Sequence, residues 1–194
     1  SYYGIRKNFR NLQCALKGRH QIENTALALG AVELLAGRGF PTSDRAVFEG
    51  VKKTQWEGRL EVLQAIPKLI VDGGHNVAGI TVLCRSLRQD FSYKRLILVF
   101  AVMGDKNYPS MLKKIAPLAD SIIITKPETE RAVPSATLLE IAKGYNASVE
   151  VAEPPIQAVK RALEIADKDD LICVTGSLYL VGEIKKAFYE IKTG

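Results

Sequence analysis

The chain has 194 residues, of which 47% are hydrophobic and 25% are charged, which excludes an intrinsically disordered protein and allows one packed domain with a smaller second piece. Its 27 Lys and Arg residues exceed its 21 Asp and Glu residues, and the net charge of +6 suits an anionic ligand or a functionally neutral basic surface. Because the basic residues are not interleaved with aromatic ones, and no apolar run approaches the roughly 20 residues of a membrane span, neither a nucleic acid nor a membrane is predicted as a partner.

The first 55 residues differ from the rest of the chain. A polar stretch from Ile5 to Leu16 predicts one or two strands, an apolar stretch from Ile22 to Leu35 predicts a helix, and Ala46 to Lys52 predicts a shorter helix. These elements offer too few apolar residues for a core of their own. We therefore expect residues 1–55 to be the end of a domain whose larger part lies upstream, and residues 56–194 to form a second domain. The chain is expected to be part of a longer product.

From about residue 58 onward, short apolar runs alternate with helical patterns. Four continuous apolar runs predict strands buried on both faces, and a weaker run predicts an edge strand. The four runs are Leu69–Val71, Leu96–Phe100, Ile122–Ile124 and Leu171–Val174, and the weaker one is Ser148–Val151. The helices between them repeat an apolar face, as the last one does at Val181, Ile184, Phe188 and Ile191. This alternation predicts an α/β fold with a Rossmann-like, mostly parallel sheet and helices on both faces.

The three cysteines do not have the spacing of a metal site, and the chain's two histidines are too few for a metal cluster. Cys84 and Cys173 stand in apolar surroundings, whereas Cys14 stands apart from both. They are predicted to be buried thiols of a reducing compartment, which indicates the cytoplasm. No metal ligand is predicted in this chain.

Candidate site residues follow the predicted strands, because ligands of parallel α/β sheets bind at the carboxyl ends of the strands. The run Asp72-Gly73-Gly74-His75-Asn76 follows the first strand. Its glycines allow a tight turn beside a ligand, and its carboxylate, imidazole and amide groups offer polar contacts. We favour a functional role for Asp72 and His75, whereas Asn76 is explained equally well as the N-cap of the next helix.

Three further residues are candidates: two follow predicted strands, and the third stands at the junction between the two pieces of the chain. Lys106 follows the second strand beside a predicted helix N-terminus, where an anion is favoured, although a solvated turn explains it too. Ser177 follows the last strand and offers a hydroxyl to a carboxylate or simply caps the helix. Arg59, three residues after the only tryptophan, Trp56, suits stacking on a base or pairing with a phosphate.

The order of the motifs is more specific than any one of them. In chain order they are His20-Gln21-x-x-Asn24, Trp56-Glu57-Gly58-Arg59-Leu60-Glu61, the run from Asp72 to Asn76, Met103-Gly104-Asp105-Lys106, and the run from Thr175 to Glu183. From about Leu16 to the end, the chain resembles the folylpolyglutamate/dihydrofolate synthase family, relatives of the muramyl peptide ligases. The last motif favours the folate enzymes over their cell-wall relatives.

The resemblance implies a cytoplasmic enzyme with an N-terminal ATPase domain, which carries a phosphate-binding loop and the Mg²⁺ ligands, and a C-terminal Rossmann-like domain. Such an enzyme uses ATP to join L-glutamate to dihydropteroate or a folate through an acyl phosphate, and a monomer is expected. By match of motif, Asn24, Arg59 and Asp72 are expected to contact ATP, and Ser177 to contact glutamate. His75 and Lys106 are expected to belong to the catalytic site.

The sequence departs from the family pattern at three positions. Glu57 and Val77 stand where proline is usual, and Gly74 stands where alanine is expected, so backbone stiffness changes rather than chemistry. The chain also lacks the Gly-Lys pair of a Walker A loop, so the phosphate-binding loop is expected upstream and the isolated chain is expected to be inactive. A muramyl-type peptide ligase domain and a free-standing nucleotide-binding module are the alternatives.

Overall fold

The computed structural model describes the backbone of residues 1–193 and the side chains of residues 1–189. The chain divides into two compact units, residues 1–57 and residues 58–194, which we call the first and the second unit. No helix in the described part of the chain is long and apolar enough to cross a lipid bilayer.

The first unit contains a short strand pair and two helices. Its elements are β1 (Tyr2–Tyr3), which pairs antiparallel with β2 (Asn8–Phe9), then α1 (Arg19–Ala36) and α2 (Asp44–Lys53). Both helices lie where the apolar spacing predicts them. The strand β2 lies within the stretch from Ile5 to Leu16, where one or two strands are predicted, whereas β1 lies before that stretch.

A buried carboxylate explains the position of this strand pair. Glu33 of α1 accepts hydrogen bonds from the backbone N–H groups of Ile5 at 2.6 Å and of Lys7 at 2.9 Å. Backbone groups that bond to a side chain cannot also bond to a neighbouring strand. The chain therefore turns at residues 5–7, and the strands form on either side of that turn.

Few apolar side chains of the first unit are buried. Its hydrophobic cluster of buried residues consists of Phe9, Leu29 and Val47. Several large apolar side chains of α1 are exposed, namely Ile22, Leu27, Leu34 and Leu35. The predicted assignment of this unit to a larger upstream domain stays a prediction.

The second unit is built on a six-stranded sheet. Its strands are β3 (Glu61–Gln64), β4 (Lys68–Asp72), β5 (Leu96–Phe100), β6 (Ser121–Ile124), β7 (Val149–Val151) and β8 (Leu171–Thr175). The strand order is β3-β4-β8-β5-β6-β7, and every pair is parallel except β3 with β4. The four buried strands and the edge strand β7 are confirmed, whereas β3 was not predicted.

Helices cover both faces of this sheet, which confirms the predicted fold class. They are α3 (Val77–Gln89), α4 (Tyr108–Ile115) with a 3₁₀ turn at Ala116–Leu118, α5 (Ser135–Lys143), α6 (Pro155–Ile165) and α7 (Leu178–Thr193). One face of the sheet packs against α3, α4 and α5, and the other against α6 and α7. Alternate residues of each strand enter the two cores, because successive side chains point to opposite faces. The side chain of Ile191, predicted on the buried face of α7, lies outside the described residues.

The cysteines of the second unit are buried as predicted. Cys84 and Cys173 are free thiols, and Cys14 of the first unit is a partly buried free thiol. Burial raises the pKa of Cys84 and raises that of Cys173 well above its ordinary value. Both buried thiols are therefore protonated and unreactive at neutral pH.

Candidate functional site

The carboxyl ends of three adjacent strands form the candidate site of the second unit. In the sheet register, Asp72 at the end of β4 is paired with Thr175 of β8, and Thr175 is paired with Phe100 of β5. Asp72 is the last residue of β4, and the loops that follow these strands carry His75, Lys106 and Ser177. The structure therefore brings these four predicted residues to one edge of the sheet, where ligands of parallel sheets bind.

Asp72 fixes the backbone of two neighbouring segments. Its side chain is buried, and its carboxylate accepts hydrogen bonds from the backbone N–H of Leu60 at 3.0 Å and of Gly74 at 2.9 Å. A carboxylate that accepts backbone N–H bonds is stabilised in its charged form. The observed contacts are structural, and direct contact between Asp72 and a nucleotide stays a prediction.

Arg59 reaches this edge through the unpredicted strand β3. Because β3 runs antiparallel to β4, its first residue, Glu61, is paired with Val71 near the carboxyl end of β4. The turn before β3 therefore lies beside the loop that follows β4, and the backbone N–H of Gly73 donates to Gly58 O at 2.7 Å. Arg59 makes no ion pair with any residue from 1 to 189, so its charge remains available to an anion.

His75 and Asn76 have different roles at the start of α3. His75 is half-buried, and its Nδ1 lies 2.9 Å from Gly73 O. A carbonyl oxygen can only accept, so Nδ1 is the donor in this contact. Asn76 caps α3, since its Oδ1 accepts from the backbone N–H of Gly79 at 2.8 Å. The capping interpretation of Asn76 is confirmed, and a catalytic role for His75 stays a prediction.

The turn between β8 and α7 is tightly constrained. Gly176 has a φ of 106°, and a Cβ there would overlap the carbonyl oxygen of Ala101 and the ring of Phe100. The turn therefore requires glycine. Ser177, which is only 1% exposed, accepts a hydrogen bond at Oγ from the backbone N–H of Tyr179 at 3.1 Å. This bond serves the first turn of α7 and leaves the hydroxyl proton available as a donor, so contact with glutamate stays a prediction.

Lys106 lies in the turn between β5 and α4. Its Nζ is 2.7 Å from Asp105 Oδ2, and Arg131 Nη2 is 3.7 Å from the other oxygen of the same carboxylate. The hydrogen bond from Lys106 lowers the pKa of Asp105. Asn107 caps α4 through the backbone N–H of Ser110 at 3.2 Å. Lys106 is thus one of two cations that share a single acidic partner.

Asn24 lies in the first unit, on α1. Its Nδ2 donates to Gln21 Oε1 at 3.0 Å, one helical turn earlier. It also lines a mostly apolar cavity of about 340 Å³ within the first unit. Contact between Asn24 and ATP stays a prediction.

Two residues of the site region were given no role by the sequence. Glu61 accepts from the backbone N–H of Gly58 at 2.7 Å, and Lys185 of α7 donates to Glu61 at 2.9 Å. Glu61 is the last residue of the motif Trp56-Glu57-Gly58-Arg59-Leu60-Glu61, and this was the only feature of the sequence that pointed to it. Lys185 lies more than a hundred residues away in sequence, so no local pattern could connect the pair.

The donor set of the described residues does not suit a metal ion. Nowhere in residues 1–189 do three or more His, Cys, Asp or Glu side chains come together closely enough to hold one. The polar groups at the candidate site are instead a guanidinium, an ammonium, hydroxyls and backbone N–H groups, which suit phosphate and carboxylate oxygens.

Comparison with known proteins gives a consistent result. Residues 58–178 match the Mur ligase family's glutamate ligase domain. The dihydrofolate synthase/folylpolyglutamate synthase of Bacillus subtilis is 31% identical to the chain over 181 residues, which cover 93% of the chain and 42% of that relative. The chain thus spans less than half of that relative and corresponds to its C-terminal portion.

Solved structures show the same correspondence. A Mycobacterium tuberculosis folylpolyglutamate synthase complexed with ADP superposes with a TM-score of 0.88 at 28% identity, over 95% of this chain and 43% of that one. The folylpolyglutamate synthase of Thermotoga maritima superposes with a TM-score of 0.77 at 32% identity, over 94% of this chain and 42% of that one.

Proposed function

The chain belongs to the Mur ligase family through its glutamate ligase domain, and on this premise we propose that it is the C-terminal part of an ATP-dependent ligase that joins L-glutamate to dihydropteroate or to a folate. The observation that carries the proposal is that the matched region contains the carboxyl-edge loops with Arg59, Asp72, His75 and Lys106. Ser177 falls in the same region. The names of the relatives supply the substrate class.

The proposed reaction solves the problem that a carboxylate is a poor electrophile. A carboxylate oxygen of the folate substrate attacks the γ-phosphorus of ATP, the bond from this phosphorus to its bridging oxygen breaks, and ADP leaves with the electron pair. The amine of glutamate then attacks the acyl carbon, inorganic phosphate leaves, and the amine loses a proton. Catalysis in both steps depends mainly on positioning and on neutralising charge.

Arg59 is the residue that we assign to the nucleotide. A guanidinium binds phosphate oxygens through two parallel hydrogen bonds, and this one has no competing ion pair among residues 1–189. Asp72 supports the contact because its carboxylate bonds to the backbone of Leu60 and of Gly74, on the two segments next to Arg59.

The remaining four site residues are assigned to glutamate, to the transferring phosphoryl group and to ATP. The hydroxyl proton of Ser177 is available to a carboxylate oxygen of glutamate. Because Nδ1 of His75 donates to Gly73 O, the neutral ring would carry its lone pair on Nε2, and we assign this atom to accept the proton that the amine loses. Lys106 supplies a second cation for the transferring phosphoryl group, and Asn24 is assigned to ATP by motif alone.

A divalent metal ion is part of the proposal, but not as a ligand of this chain. Mg²⁺ would neutralise phosphate charge during transfer, and its ligands are expected in the N-terminal domain because residues 1–189 hold no suitable cluster. That domain is the proposed partner of this chain, and the whole protein is proposed to be a cytoplasmic monomer. The isolated chain is expected to show no ligation.

ATP-dependent incorporation of glutamate by the full-length gene product tests the proposal. Dihydropteroate and tetrahydrofolate are offered separately, and an Arg59→Ala variant is assayed beside the wild type. We expect incorporation with at least one acceptor, and a rise of about tenfold or more in the KM for ATP in the variant. The preferred acceptor then distinguishes a dihydrofolate synthase from a polyglutamate synthase.

Two results would contradict the proposal. Incorporation into a muramyl peptide precursor, with none into either folate acceptor, would identify a cell-wall ligase. Tight ATP binding by the 194-residue chain without any ligation by the full-length product would identify a nucleotide-binding module. An unchanged KM for ATP in Arg59→Ala would keep the reaction but remove Arg59 from the nucleotide site.

A further inference from the structure

The turn that carries Arg59 has an unfavourable backbone conformation. Leu60 has a φ of 47°, in the left-handed region that residues with a Cβ rarely adopt, and its side chain is only 1% exposed. A conformation of this kind persists only where the surrounding contacts hold it, and such sites are often functional.

Two backbone contacts on the β4 side hold this turn. The N–H of Leu60 donates to Asp72 Oδ2 at 3.0 Å, and the carbonyl oxygen of Gly58 accepts from the N–H of Gly73 at 2.7 Å. These contacts come from the last residue of β4 and from the first residue of the loop after it. They fix the residues on either side of Arg59, whose side chain makes no hydrogen bond or ion pair with residues 1–189.

A third contact comes from α7. Glu61 Oε2 accepts from the N–H of Gly58 at 2.7 Å, and Lys185 Nζ lies 2.9 Å from both oxygens of the Glu61 carboxylate. The side chains of Lys185 and Glu61 are only 11% and 23% exposed, so solvent screens this pair weakly. By contrast, the Lys94–Asp169 pair of the same unit has side chains that are 74% and 45% exposed.

The guanidinium of Arg59 lies directly over the loop after β4. A Cβ on Gly73 would be 2.8 Å from Arg59 Nη1 and would overlap the side chain of Leu178. The direction of Arg59 therefore depends on a turn that is fixed on one side by the loop after β4 and on the other side by Glu61 and Lys185.

We infer that Glu61 and Lys185 are positioning residues that set the direction of Arg59 by holding the Gly58–Leu60 turn. The inference rests on the proposed function, in which Arg59 binds the nucleotide. The pair acts through Arg59 and contacts no substrate itself. Its loss lets the turn relax and moves the guanidinium away from the anion, which weakens ATP binding while the other substrates bind as before.

The test uses the full-length gene product and the KM for each substrate. We expect Lys185→Met to raise the KM for ATP about tenfold, with kcat and the KM for glutamate unchanged within about twofold. Lys185→Arg restores the ion pair and is expected to behave like the wild type. Lys94→Met removes the exposed pair and serves as the matched control.

A double-mutant cycle separates positioning from a general structural role. If Lys185 acts through Arg59, adding Lys185→Met to Arg59→Ala causes no further rise in the KM for ATP. Independent, multiplicative effects would overturn the inference. So would a fall in thermal midpoint that accounts for the lost activity and that Lys185→Arg does not reverse.

Gly73→Ala provides a second variant, because a Cβ there would crowd the guanidinium of Arg59 as well as the side chain of Leu178, and neither belongs to the ion pair. We expect the same selective rise in the KM for ATP, and an unchanged value would overturn the inference. If Arg59→Ala itself has no effect on the KM for ATP, the proposed nucleotide contact fails. If Arg59→Ala has its expected effect and Lys185→Met has none, only the positioning role fails.

Discussion

The two units of the chain differ in how completely they bury their apolar side chains. The second unit encloses two cores, one on each face of its sheet, and residues such as Leu98 are fully buried. The first unit buries a cluster of three side chains, while Leu27 in the middle of α1 is 74% exposed. Helix content is high in both units, so the two units differ in the closure of their cores rather than in how much helix they contain.

Separate expression of the two units is expected to give the largest effect. Residues 58–194 should fold alone, with a cooperative thermal transition, because both faces of their sheet are covered. Residues 1–57 should be largely unfolded in isolation, as judged by far-UV circular dichroism. A cooperative transition in isolated residues 1–57 would contradict this expectation, because it would show that a cluster of three buried side chains is enough to hold this unit folded.

Truncating a leucine in the second unit should lower the free energy of unfolding much more than truncating one in the first unit. Leu98→Ala removes a fully buried side chain and is expected to lower the free energy of unfolding by about 2–5 kcal/mol. Leu27→Ala removes an exposed one and should change it by less than about 0.5 kcal/mol in the 194-residue chain. Denaturant unfolding measures both.

The same two leucines give a sharper result in the full-length product. If the remainder of the protein covers α1, Leu27→Ala becomes destabilising there, whereas the effect of Leu98→Ala stays the same. An equal and negligible effect of Leu27→Ala in both contexts would indicate that this face of α1 stays exposed.

Asp170 makes the stability of the second unit pH-dependent. It accepts hydrogen bonds from Arg95 Nε at 3.0 Å and from the backbone N–H of Asp167 at 2.8 Å. Burial acts to raise the pKa of Asp170, but these hydrogen bonds and the charge of Arg95 outweigh it and lower the pKa. A lowered pKa stabilises the fold above the unfolded value of about 3.9, and this stabilisation is lost as the pH falls through the lower folded value.

Comparison of the wild type with Asp170→Asn should reveal this dependence. Between pH 6 and pH 2, we expect the free energy of unfolding of the wild type to fall more steeply, because the variant has no carboxylate to protonate at this position. Glu33→Gln is the corresponding change in the first unit, where backbone hydrogen bonds outweigh burial and lower the pKa of Glu33. If the free energy of unfolding changed with pH in the same way in the wild type and in Asp170→Asn, Asp170 would not be a source of the pH dependence.

Helix caps should give the smallest effects. Ser43 caps α2 through the backbone N–H of Ala46, and Asn107 caps α4 through that of Ser110. Each alanine substitution should cost about 1 kcal/mol. If the units unfold separately, Ser43→Ala shifts only the transition of the first unit and Asn107→Ala only that of the second. A shift of one shared transition by both variants would show that the units unfold together.

Much of the second unit was predictable because its strands are continuous apolar runs. Runs such as Leu96–Phe100 admit few interpretations other than a strand buried on both faces, and the residues after such strands fall at one edge by the geometry of parallel sheets. The capping role of Asn76 was predictable for a similar local reason. The edge strand β3 was not, since Glu61–Gln64 is mixed in polarity and gains its structure only by pairing with β4.

The sequence by itself therefore determined the order of the motifs, the α/β class and the edge of the sheet at which the residues after the strands lie, because the class and the edge follow from local apolar spacing. Only the tertiary structure decided how Arg59 reaches that edge and what holds it there. The antiparallel pairing of β3, the left-handed Leu60 and the Glu61–Lys185 pair all depend on contacts between residues far apart in the chain. Local spacing carries no information about such contacts, since they exist only once the chain has folded.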